Sequence, residues 1–122
     1  MFEAHSDTVA VDGMTVDPFA AEVRDGRLYG RGACDTKAAM AAMLLAVQSV
    51  LAADGGLRAT VYVVSTCGEE ITGLGAKALV GDGFFAGGRV DAAIVGEPTD
   101  LDIIHASKGS GRFHIETRGK AA

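Results

Sequence analysis

Glu69 and Glu70 follow one another directly in VVSTCGEEITG (residues 63–73), where a run of β-forming residues ends between Gly68 and Gly73. Adjacent carboxylates repel and prefer water, so a pair of them at the mouth of an apolar strand needs a reason. The same placement recurs along the chain. EAHSDTV sets His5 and Asp7 after a first strand, GRGACDTK sets Asp35 between a glycine-rich loop and a long apolar helix, and VGEPT sets Glu97 after another strand. One histidine and five carboxylates thus stand where a strand ends and a turn begins. If the strands are parallel neighbours, these ends converge. Two like charges about 4 Å apart repel by roughly 4 kcal/mol at an effective dielectric near 20, so the cluster calls for protonation or a cation. One or two divalent metals held by imidazole and carboxylate resolve the repulsion, and such ligands suit Zn2+, Mn2+ or Co2+. The paired glutamates can then divide the work. One binds metal, and the other takes a proton from a water that the metal acidifies.

Each residue also has a plainer reading. Glu69 and Glu70 suit the first turn of a helix, Asp35 suits an N-cap, His5 and Asp7 could be a surface pair, and Glu97-Pro98 could be a turn. Recurrence of these sites at strand ends is what favours the joint, chemical reading.

The elements that must hold these groups read as follows. MFEA is a stub of strand, and AAEV and RLYG flank Asp25-Gly26 as a hairpin. Residues 36–53 form a helix that Gly55-Gly56 stop, apolar nearly all round and so expected to be well buried. RATVYVVS (58–65) is expected to be a central strand covered on both faces, and DAAIVG (91–96) another buried strand. GLGAKALV (73–80) reads as a shorter helix, and residues 102–107 and 111–119 as further strands, the last with His114 on its wet face. Alternation of strand and helix predicts an α/β fold, a mostly parallel or mixed central sheet flanked by helices, with its chemistry at the carboxyl ends of the strands.

Bulk properties narrow the classes. A chain of 122 residues suggests one domain. A net charge of −5 without a basic run argues against nucleic acid or an anionic membrane as partner. The longest apolar run, AAMAAMLLAV, is too short to span a bilayer, and MFEAHSD lacks the pattern of a signal peptide. Cys34 and Cys67 form no CxxC motif, which fits a reduced, cytoplasmic setting and excludes a paired-thiol redox site. GRGACDTK lacks the spacing of a phosphate-binding loop, and an Asp at the helix start would repel phosphate.

HSDTV, DPFAAEVRDGRLYGRGACDTKAAMAAML, STCGEE, GEPT and KGSGRFHIETRGKAA, in that order, resemble the M20-type dinuclear zinc peptidases and amidohydrolases related to acetylornithine deacetylase, succinyl-diaminopimelate desuccinylase, aminoacylase-1 and carboxypeptidase G2. The resemblance covers essentially the whole chain. It implies that His5 and Glu97 ligate one metal, Glu70 ligates the second, and Asp35 bridges both. It implies that Asp7 orients His5, that Glu69 is the general base, and that the peptide bond after Asp35 is cis. The implied reaction is hydrolysis of the amide bond of an N-acyl amino acid or small peptide, with two Zn2+ per complete site (Co2+ or Mn2+ as substitutes), in a homodimer joined through a lid domain.

The chain departs from the family pattern at three places. Four residues precede His5, no second histidine ligand follows Glu97 at the family's distance, and the lid strand is not followed by the histidine that steadies the oxyanion. The expectation is therefore a fragment: residues 1–110 a partial catalytic domain and 111–122 the first strand of the lid, inactive or weakly active alone. The rival is a non-catalytic relative that keeps the fold and binds metal or a partner. His105 and His114 are expected to be structural or solvated, Cys34 and Cys67 to pack, Arg31 to be structural, and Lys37 to begin the helix or pair with a carboxylate.

Overall fold

Three parallel strands form the sheet, in the order β4-β1-β5, with β1 Phe2–His5 in the middle, β4 Val63–Thr66 on one side and β5 Ile94–Val95 on the other. The computed structural model of the chain describes residues 1–53, 55–109, 111 and 113–120. Phe2 lies opposite Val63 and Ile94, and His5 opposite Thr66. The strand expected to be central, around residues 58–65, is therefore an outer neighbour, and the N-terminal stub is the axis. β4 begins only at Val63, and β5 spans two exposed residues rather than six buried ones. A parallel ladder extends only as far as both partners run, and β1 offers four residues.

β2 Glu22–Arg24 and β3 Arg27–Tyr29 form the expected antiparallel hairpin. Asp25 and Gly26 both take positive φ, 51° and 73°, as a type I′ turn requires. The chain then passes through a distorted turn, Ala33–Lys37, into α1 Ala38–Ala52, which packs on β1 and β4. α2 Leu74–Gly81 follows β4 and packs on it. Two glycines make close contact possible. A Cβ on Gly96 would stand 2.5 Å from the Ala39 Cβ, and one on Gly75 would stand 2.7 Å from the Thr66 Cβ.

The expectation that α1 is well buried does not hold. Met43 is its buried residue, while Leu44, Leu45, Val50 and Leu51 are 45–61% exposed. One short sheet covers one face of a helix that is apolar nearly all round and leaves the opposite face open. By length and composition, the helical stretch Ala33–Ala52 could also cross a membrane, contrary to the reading of its apolar run as too short. Its packing on the sheet, and the non-helical dihedrals at Asp35 and Thr36, favour a sheet-covering helix.

The strands expected over 102–107 and 111–119 are not formed among the described residues. Part of the second segment, Ser110 and Arg112 with the final Ala121 and Ala122 of its motif, lies outside them. A strand exists through hydrogen bonds to a neighbour, and no described segment lies alongside these residues. The α/β class itself is as expected: a parallel sheet with helices beside it.

Candidate metal centre

Because all three strands are parallel, their carboxyl ends open on one edge. His5 is the last residue of β1 and is 3% exposed. Its Nε2 lies 3.1 Å from Asp35 Oδ1, 3.9 Å from Glu97 Oε1 and 4.0 Å from Glu69 Oε2. These partners come from the turn before α1, the loop after β5 and the loop after β4. On the other side of the ring, Nδ1 is 3.0 Å from the Asp7 carbonyl oxygen and 3.5 Å from its carboxylate. The Asp7 carboxylate also accepts the backbone N–H groups of Glu69 at 3.2 Å and Glu70 at 3.3 Å. One residue thus orients the imidazole and anchors the loop that carries both glutamates. The peptide bond between Asp35 and Thr36 is cis, as the resemblance implied.

Burial of the ring would lower the His5 pKa, but the Asp7 carbonyl and the Glu97 and Asp35 carboxylates outweigh it and raise it above 6.5. Glu97 is raised, first by burial and then by the negative charge of Asp35. Asp7 runs the other way. Burial would raise it, but the N–H groups of Glu69, Glu70 and Gly68 bring it below 3.8. For His5, a folded pKa above the unfolded one means stabilisation that is complete below 6.5 and lost as pH rises through the folded value. The metal-free protein should therefore lose thermal stability as pH climbs out of that window, and His5→Gln should flatten this part of the profile. Melting curves across the range check it. Asp7, with its folded pKa lowered, adds the opposite slope at acid pH, where stability falls as pH drops through its folded value.

Even with His5 protonated, one positive ring faces the four carboxylates of Asp7, Asp35, Glu69 and Glu97 within 4.0 Å. The donor set suits a divalent cation. One ligand atom each from His5, Asp35 and Glu97 lie within 4.8 Å of one another, and all three are imidazole or carboxylate. The Asp35 and Glu97 side chains are 50% and 39% exposed, which leaves the group open to solvent.

Glu70 stands differently. Its carboxylate accepts the Val9 N–H at 3.2 Å and is not part of this trio. His105 and His114 are exposed and outside the cluster. Cys34 and Cys67, expected to pack, are free and exposed. Arg31 is structural as expected, its Nη2 donating to the Ala10 carbonyl at 2.8 Å. Lys37 reaches back to donate to the Ser6 carbonyl at 2.6 Å, tying the head of α1 to the loop after β1 rather than to a carboxylate. Sequence reasoning overlooked Thr36, which is fully buried with its hydroxyl donating to the Gly96 carbonyl at 2.8 Å. Its position next to Asp35 was the one available signal. It also overlooked Gly96, pressed between Ala39, Met43 and Ala4.

Curated proteins are similar to most of this chain. The chain is 45% identical over 116 residues to acetylornithine deacetylase of Myxococcus xanthus, covering 95% of this chain and 29% of that protein. It is 42% identical over 103 residues to succinyl-diaminopimelate desuccinylase of Rhodospirillum centenum, covering 81% and 27%. It is 40% identical over 128 residues to the same-named protein of Acidovorax ebreus, covering 98% and 33%. The chain thus spans 27–33% of the length of these relatives. Residues 1–121 match the profile of one family, and with the parallel strand ends and their cluster of His5, Asp35 and Glu97 in place, the chain belongs to Peptidase family M20/M25/M40.

Proposed function

We propose that the chain carries the core of the catalytic centre of a metal-dependent amide hydrolase acting on N-acyl amino acids or small peptides. The observation that carries this reading is the meeting of His5, Asp35 and Glu97, from three separate segments, with Glu69 alongside. Names of relatives support the reaction class: a deacetylase and desuccinylases. In this reading His5, Asp35 and Glu97 would hold one Zn2+, and Asp35 with Glu70 would hold a second. The chemistry such cations supply is Lewis acidity, which polarises the scissile carbonyl and acidifies water to a pKa of about 7. Asp7 keeps a proton on His5 Nδ1 through its carbonyl, leaving Nε2 to face the cluster. Glu69, anchored through its own N–H to Asp7, takes the proton of the attacking water and passes it to the leaving amine. The new C–O bond forms as the C–N bond breaks, and free amine and carboxylate leave.

Residues beyond about 110 are proposed to open a lid domain through which the intact protein dimerises. Phe113 and Ile115, 90% and 84% exposed on alternate positions, suit a strand awaiting a partner. The two free thiols support a cytoplasmic setting.

Stripping divalent ions from the intact protein with a chelator should abolish hydrolysis of N-acetyl and N-succinyl amino acids, and Zn2+, Co2+ or Mn2+ should restore it. Hydrolysis that survives complete metal removal would refute the proposal.

A further inference from the structure

We propose that Thr36 is a positioning residue of the metal centre, its hydroxyl holding the segment of Asp35 against the segment of Glu97. The inference rests on the metal-hydrolase reading above. Three ligating side chains from distant parts of a chain need ties that set their separation, and these ties form a closed path. β1 holds the β5 segment through the Gly96 N–H, which donates to the Glu3 carbonyl at 2.8 Å. The Gly96 carbonyl accepts the Thr36 hydroxyl at 2.8 Å. Thr36 is bonded to Asp35, whose carboxylate reaches back to His5 on β1 at 3.1 Å. Glu97 is the next residue after Gly96, so both backbone bonds of Gly96 bear on where Glu97 stands. Gly96 packs closely against α1, with no room for a side chain: a Cβ there would stand 2.5 Å from the Ala39 Cβ and 3.2 Å from the Met43 Cε. The Thr36 hydroxyl acts in a fully buried position, where loss of the donor leaves the Gly96 carbonyl without this partner and without water in its place. Nothing in the reaction requires this hydroxyl to touch substrate; it acts through Asp35 and Glu97.

Two variants separate positioning from packing. Thr36→Val keeps the shape and removes the hydroxyl. Thr36→Ser keeps the hydroxyl and removes the methyl. In the intact protein, Co2+ affinity is measured by competition with a chromophoric chelator, together with the visible spectrum of bound Co2+ and melting curves of the metal-free forms. T36V should bind Co2+ about 10-fold more weakly, or worse, with a shifted spectrum, as losses of residues that orient ligands do. T36S should stay within about threefold of wild type. If T36V does not fold, Thr36→Ala, which also lacks the hydroxyl, replaces it in the comparison with T36S. Unchanged affinity without the hydroxyl, or equal weakening in T36S, would overturn the proposal while leaving the metal-hydrolase reading intact. A wild-type protein that binds no Co2+ would overturn both.

Discussion

Glu69→Gln should lower amide hydrolysis by the intact protein roughly 10²- to 10⁴-fold while leaving its affinity for Zn2+ unchanged. The substitution keeps the size of the side chain and its backbone N–H bond to Asp7, but removes the group that can accept a proton. Glu69 Oε2 lies 4.0 Å from His5 Nε2, at the rim of the cluster, and is not among the three donors that meet within 4.8 Å. Loss of turnover without loss of metal is thus the signature of a general base beside a cation site. The alternative reading, a non-catalytic relative that binds metal or a partner, gives a different result: metal is bound by both forms, and neither hydrolyses anything. Steady-state assays on N-acetyl amino acids, run beside metal titrations of both proteins, discriminate between them.

Asp35→Asn should weaken metal binding by at least about 100-fold, because a neutral amide replaces the carboxylate that lies nearest His5 and is proposed to serve two ions. At a pH above the folded pKa of His5, where the ring is neutral and its attraction to Asp35 is gone, the same change should leave the metal-free protein as stable as wild type, or more so. Asp35 contributes negative charge to a crowded site, where it helps raise the Glu97 pKa, and an amide removes that repulsion while its NH2 can donate to the neutral His5 Nε2. Opposite signs for metal affinity and metal-free stability would indicate a site whose charges are arranged for a ligand rather than for the fold. Co2+ titration and thermal melts of the metal-stripped protein supply the two numbers. Retained affinity in Asp35→Asn would remove Asp35 from the ligand set.

Local signals in the chain were sufficient to anticipate the hairpin and the gathering of His5 with most of the acidic side chains. Asp25-Gly26 specified the hairpin, because few residue pairs accept two successive positive φ values. Acidic side chains placed after β-forming runs foretold a shared edge, since parallel strands end on the same side, and His5, Asp7, Asp35, Glu69 and Glu97 do meet there. Other features depend on neighbours that no local pattern names. That β1 is the axis of the sheet is a matter of pairing between residues some 60 to 90 positions apart. The apolar girth of α1 announced burial, yet burial requires a second layer, and the sheet supplies one face. Residues 102–107 read as β-forming and 111–119 alternate like a strand, but a strand is made by its partner's hydrogen bonds rather than by its own side chains. Thr36 shows the limit most plainly. Beside Asp35 in sequence it is an unremarked threonine, and its role in the centre comes from a carbonyl 60 residues away that folding brings to 2.8 Å.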